Sequence, residues 1–204
     1  MFEKALMSFK VFSVGDAKKA FPNFDTKRLV EWQERGYIKK LINKWYLFSQ
    51  VPKSEFLLYR ISNCLHHPSY ISLESALSFY NLIPEAVYSQ QAVSTRKTIS
   101  YETVVGNFNY KAIKPGHFFG YQILHQEGLP ILMAEIEKSI IDYFYFNSKL
   151  QTSENIEALR LNIPELQAKL DWEKLSKYSD LINSDTLKKR LRLLKKLVIN
   201  AHTR

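Results

Sequence analysis

Residues 13–48 read SVGDAKKAFPNFDTKRLVEWQERGYIKKLINKWYLF, and the order of elements in this stretch decides the fold. Ser13 stands where a helix N-cap belongs and Asp16 falls in the first turn. A helix is therefore predicted to about Phe21, where Pro22 and Asn23 break it. Asp25 is the N-cap of a further helix over 26–35, with Leu29, Val30 and Trp32 facing inward, and Gly36 sits where a left-handed helix end is expected. Residues 37–41 and 44–48 read as two short strands, with Ile42 and Asn43 as their turn. Upstream, Phe2, Leu6 and Phe9 recur at helical spacing and predict a first helix. Three helices followed by a small hairpin is the order of a winged helix-turn-helix over residues 1–50.

Downstream, residues 51–204 predict a larger α+β unit. Helices are expected over 55–65 and 73–80, the second with Ser72 as its cap. From about Ala92 to Leu132 the pattern changes to strands: 98–105 and 108–113 flank a Gly106–Asn107 hairpin turn, with further strands over 120–125 and 129–133. Helical spacing returns over 134–146, 156–161, 172–182 and 186–199. The expected fold class is thus α+β: a winged helix-turn-helix joined to a mixed domain with an antiparallel sheet and C-terminal helices.

The formal charge is +9, and it is unevenly placed. Residues 1–50 hold ten Lys/Arg against five Asp/Glu, residues 51–184 twelve against fourteen, and residues 185–204 seven against one. Basic ends around a faintly acidic middle point to a polyanionic partner, because cations opposite phosphates release condensed counterions. One cysteine, Cys64, permits no intrachain disulfide. The N-terminal residues carry Glu3, Lys4 and Lys10 and do not read as a signal peptide, and the apolar run 140–146 is far too short to span a bilayer. A cytoplasmic protein without membrane contact is expected.

Thr26, Lys27 and Arg28 open the third helix, the end that enters the major groove in this architecture. Arg28 suits guanine, Lys27 guanine or phosphate, and Thr26 a phosphate or a thymine methyl. Glu31 and Glu34 on the same helix oppose phosphates unless one accepts from a cytosine amine. Lys39, Lys40, Asn43 and Lys44 make the following hairpin basic, suited to the DNA backbone or the minor groove. On the last helix Leu187, Leu191, Leu194 and Val198 share one face. Lys188, Lys189, Arg190, Arg192, Lys195 and Lys196 fill the rest, a secondary basic surface for flanking phosphates or a protein.

Catalytic signatures are missing: there is no G-x-S-x-G, Walker A, G-x-G-x-x-G or H-E-x-x-H. Glu135, Glu137 and Asp142 suggest a metal-dependent nuclease or nucleotidyltransferase-related enzyme as the alternative. Against it, Lys138 and Asp142 have salt-bridge spacing, and Glu135 and Glu137 would diverge on a helix. Cys64, His66 and His67 lack a second cysteine to complete a zinc set. Neither a catalytic residue, a metal ligand nor a cofactor is assigned. A third reading is an adaptor that holds a protein toxin through 92–146 without binding DNA.

The helix-turn-helix running into Gly36-Tyr37-Ile38-Lys39-Lys40 and Trp45-Tyr46 resembles the AbiEi-type antitoxin family. So do Pro68-Ser69-Tyr70-Ile71-Ser72-Leu73-Glu74-Ser75-Ala76-Leu77 and Ala134 followed by Glu137-Lys138-Ser139-Ile140-Ile141-Asp142. The resemblance covers nearly the whole chain. It implies a repressor of a type IV, abortive-infection toxin–antitoxin operon that binds double-stranded DNA at inverted repeats. It also implies an antitoxin domain that neutralises a nucleotidyltransferase-like toxin without a stable complex, in a monomer or weak dimer. The sequence departs from the family at Asn43-Lys44-Trp45, where a glycine is expected before the tyrosine strand.

Overall fold

The computed structural model describes residues 9–84 and 87–200. Apart from the exposed Phe9, the helix expected at the N-terminus lies outside them. The fold is mixed α+β, with nine α-helices and two sheets among the described residues.

Strand β1 (Val11–Ser13) runs into α1 (Val14–Ala20). The Ser13 hydroxyl accepts from the Asp16 amide at 3.0 Å while the Asp16 carboxylate accepts from the Ser13 amide at 2.8 Å, a reciprocal cap. Helix α2 (Lys27–Glu34) follows; its N-cap position falls on Thr26, which makes no side-chain cap bond, rather than on the expected Asp25, whose carboxylate one residue earlier accepts from the Lys27 amide at 2.9 Å. It ends in a Schellman arrangement: Gly36 at φ +72° donates to the Gln33 carbonyl and Tyr37 to the Trp32 carbonyl. The hairpin strands are β2 (Ile38–Ile42) and β3 (Trp45–Phe48), so Ile42 belongs to a strand and the turn is Asn43–Lys44. A bulge after Lys40 adds one residue to β2, which moves the turn one position past its expected place. Lys44 takes φ +67° there, supplying the left-handed conformation that a glycine would otherwise provide.

The sheet order is β1-β3-β2, and both of its faces are covered. Phe12, Ile38, Tyr46 and Phe48 pack with Ala17, Phe24, Leu29 and Trp32 of the helical side. Val11, Leu41 and Leu47 turn to the other face and join the main core of the chain. Lys10 donates to the Glu127 carbonyl at 2.7 Å and Ser54 to the Glu127 carboxylate at 2.8 Å, which fastens the edge of this contact.

The main sheet has the order β6-β7-β5-β4-β9-β8, from β4 (Ser69–Ile71), β5 (Ser89–Ser94), β6 (Ile99–Thr103), β7 (Gly106–Ala112), β8 (Tyr121–Gln126) and β9 (Leu129–Ala134). It is mixed, which corrects the antiparallel expectation: β5 with β7 and β4 with β9 are parallel. The cause is topological, since the β6–β7 hairpin folds back and inserts β7, not β6, beside β5. The turn of that hairpin is Val104–Val105, two residues before Gly106–Asn107. The Thr103 hydroxyl accepts from both the Val105 and Gly106 amides (3.2 and 3.3 Å), closing the turn earlier.

Helix α3 (Glu55–Leu65) covers one face of this sheet through Leu57, Ile61 and Leu65. Helices α4 (Leu73–Phe79), α5 (Ile136–Phe146), α8 (Trp172–Ile182) and α9 (Asp185–Asn200) build a second apolar cluster around Leu77, Ile140, Ile141, Phe144, Leu175 and Leu194. Between them lie α6 (Ser153–Glu157), shifted earlier than the 156–161 expected because Thr152 caps it, and α7 (Ile163–Lys169), which was not expected. Pro164 occupies the first turn of α7, where its missing N–H costs nothing. No described helix is long and apolar enough to cross a membrane.

Candidate nucleic-acid interface

Thr26, Lys27 and Arg28 are all exposed at the start of α2. Counting about 100° per residue, Lys27, Val30, Glu31 and Glu34 point away from the buried pair Leu29 and Trp32, and Arg28 lies on a flank. Val30 is 55% exposed, which corrects its expected inward position: the eight-residue helix seats only Leu29 and Trp32 on Phe24 and the sheet. Glu31 is held by Arg35 at 2.7 Å, so this carboxylate already has a counterion.

The hairpin cations divide between two faces. Register places Lys40 opposite Tyr46 and Lys39 opposite Leu47. Tyr46 belongs to the cluster shared with α2 and Leu47 to the main core, so Lys40 emerges on the α2 side and Lys39 on the other. Asn43 and Lys44 are exposed at the tip. The tip is short, and the Lys44 carbonyl accepts from the Val14 amide at 2.9 Å, which ties it to the start of α1. Lys18 and Lys19 in the last turn of α1 are exposed as well. The sequence reading passed over them, although their place one turn before the Phe21-Pro22 break marks them as a helix end.

On α9, Lys188, Lys189, Arg192, Lys195 and Lys196 fall within about 120° of arc at helical spacing, while Leu187, Leu191, Leu194 and Val198 are buried. Arg190 leaves the basic stripe, a correction to the sequence reading. It is only 7% exposed and donates to the carbonyls of Phe144 (2.8 Å) and Ser148 (3.2 Å), closing the C-terminal end of α5. The guanidinium supplies a donor to the buried Phe144 carbonyl and shares the Ser148 carbonyl with the Gln151 side-chain amide, which donates to it at 2.9 Å.

The acidic residues behind the nuclease alternative separate into two lysine-bound groups. Glu135 and Glu137 do converge, contrary to expectation, on the Lys174 ammonium at 3.1 and 3.3 Å. Glu135 is the N-cap of α5 with extended backbone, so helical spacing does not apply to it. Burial works against the charge on Lys174, but the two carboxylates outweigh it and raise its pKa. Tyr178 also donates to Glu135 at 2.5 Å, and burial with that carboxylate pushes the phenol up to about 12.

Asp142 sits elsewhere, completely buried with Lys138 as its ion-pair partner one helical turn away. Its second oxygen accepts from Tyr70 at 2.9 Å and from Ser72 at 2.8 Å. Ser72 therefore holds the N-cap position of α4 without making the cap bond expected of it, its hydroxyl being committed to Asp142. The Lys138 ammonium also lies 5.5 Å from the Tyr70 ring centre and 5.2 Å from that of Phe119. Desolvation raises Asp142 and lowers Lys138 despite their mutual attraction. These four side chains come from the two downstream segments of the resemblance, 68–77 and 134–142, and they form an internal clasp rather than an open acidic centre. Among the described residues there is no group of three His, Cys, Asp or Glu able to hold a metal ion.

No protein-family model matches this chain, and no curated protein matches it significantly.

Proposed function

We propose that the protein is a DNA-binding transcriptional repressor without catalytic activity, and that it serves as the antitoxin of a type IV toxin–antitoxin system. The observation that carries the DNA-binding reading is the exposed Thr26-Lys27-Arg28 start of α2, on the same side of the small sheet as Lys40. A strand, two helices and a hairpin, in a sheet of order β1-β3-β2, support a winged helix-turn-helix over the described part of residues 1–50. In that arrangement Lys27 and Arg28 enter the major groove, Val30 meets a thymine methyl, and Lys40, Asn43 and Lys44 lie along the backbone. The antitoxin role, operator inverted repeats, a nucleotidyltransferase-like toxin as functional partner and a cytoplasmic setting rest on the family resemblance.

A gel shift with DNA from upstream of its own gene, titrated with salt, tests this reading. Affinity falls log-linearly with salt, and Arg28→Ala weakens operator binding by about 1–3 kcal/mol. Operator affinity unchanged in a Lys27→Ala/Arg28→Ala double variant refutes it.

Lys44 gives an independent check, because it combines a strained backbone with a phosphate-facing charge. Lys44→Gly relieves a left-handed conformation and is expected to stabilise the fold by about 1 kcal/mol. The same variant lowers the salt slope of DNA binding by about one. Thermal melting and the salt titration read the two effects separately.

A further inference from the structure

The helices α8 and α9 enclose a groove of about 310 Å³ that the DNA-binding reading does not use. One wall is the half-buried Trp172, with Ser176 and Ser179 along the same face of α8. The other wall is α9, which presents Lys188, Arg192 and Lys195 at positions one and two turns apart. Lys188 is neutralised by Asp180 at 2.7 Å, and the Lys195 ammonium lies 5.6 Å from the Trp172 ring centre. Arg192 makes no ion pair among the described residues and is exposed at the mouth.

The floor carries a second, independent feature. Ser179 is only 5% exposed, and its buried hydroxyl has no hydrogen-bond partner among the described residues. A buried hydroxyl without a partner is costly, and one that lines a groove is satisfied when a polar ligand fills it. An indole wall, two cations without carboxylate partners and an unsatisfied hydroxyl form a combination that suits an aromatic anion better than a bare phosphate.

We propose that the α8–α9 groove binds a nucleoside phosphate. The base lies on Trp172 beside the Lys195 stem, the phosphate meets Arg192 and Lys195, and the Ser179 hydroxyl bonds a polar edge of the base or sugar. None of the residues that line it comes from α2 or the hairpin, so the proposal does not rest on their contacts with DNA. The groove volume falls at the lower end of the range for small-ligand sites, which fits a mononucleotide rather than a larger cofactor.

Calorimetric titration of the full-length chain with AMP, ATP, adenosine and pyrophosphate tests the proposal. AMP or ATP binds, adenosine and pyrophosphate each bind at least tenfold more weakly, and Trp172→Ala loses roughly tenfold in nucleotide affinity. Arg192→Ala/Lys195→Ala abolishes nucleotide binding and leaves the melting temperature near that of the parent, which covers the case in which Trp172→Ala folds poorly. Pyrophosphate binding as tightly as ATP, with no effect of Trp172, overturns the proposal in favour of a plain phosphate patch. Failure of every nucleotide to bind at millimolar concentration overturns it too. So does a loss of duplex DNA affinity in the Arg192→Ala/Lys195→Ala variant without nucleotide binding, which would make the groove part of the DNA surface.

Discussion

Lys138→Met is expected to destabilise the fold by about 3–5 kcal/mol, because it strands a buried carboxylate without its cation. Both charges are fully buried, and Asp142 has only Tyr70 and Ser72 left as donors once the ammonium is gone. The pair itself is not a large source of stability, since desolvation shifts both groups towards their neutral forms. Lys138→Met/Asp142→Leu should therefore recover most of the loss, with coupling of about 2 kcal/mol or more in a double-mutant cycle. Additive losses would mean that the two residues act separately.

The pH dependence has a definite sign. The folded pKa of Asp142 lies above its ordinary 3.8, so the stability linked to its protonation is present below that value and is lost as pH rises through the folded pKa. Removing the ammonium extends this window upward. The deficit of Lys138→Met relative to the parent is accordingly smaller at about pH 5 than at about pH 8. Denaturant melts at the two pH values measure it, and an equal deficit at both would show that removing the ammonium leaves the protonation of Asp142 unchanged between them.

Gly120→Ala is the second large effect, at about 2–5 kcal/mol. Gly120 has φ +69°, a conformation that costs a residue bearing Cβ about 1–2 kcal/mol. A methyl there would stand 2.8 Å from Cε2 of Tyr178 and 3.1 and 3.2 Å from Cβ and Cγ of Lys138. Neither neighbour can withdraw easily. The Tyr178 ring is anchored by its hydroxyl on Glu135 and by an edge contact with Phe119 at 5.1 Å, and Lys138 is locked in its ion pair. Overpacking of this kind adds about 1–3 kcal/mol. Gly116→Ala is the control: it has no neighbour within 4 Å and no positive φ, and should melt with the parent. A Gly120→Ala protein as stable as that control would show that α8 moves freely over Gly120.

The sequence by itself was enough for features governed by neighbours along the chain. The Ser13 cap, the left-handed Gly36, the 172–182 helix and the i,i+4 pairing of Lys138 with Asp142 all follow from local spacing, and each is found. So are the exposed cations at the start of α2 and the buried apolar face of α9. Hairpin turns were misplaced because a bulge and a threonine hydroxyl, not the glycine or asparagine, close them.

Only the tertiary structure decided where long-range partners meet. Nothing local says that Arg190 leaves a basic stripe to close α5, or that Glu135 escapes helical spacing to join Glu137 on Lys174. Nor does local spacing bring Tyr70 and Ser72 to Asp142, or Ser179 and Arg192 into one groove. Local rules describe a residue's direction relative to its own backbone. Whether that direction meets water, a counterion or a buried carbonyl depends on which distant element packs there.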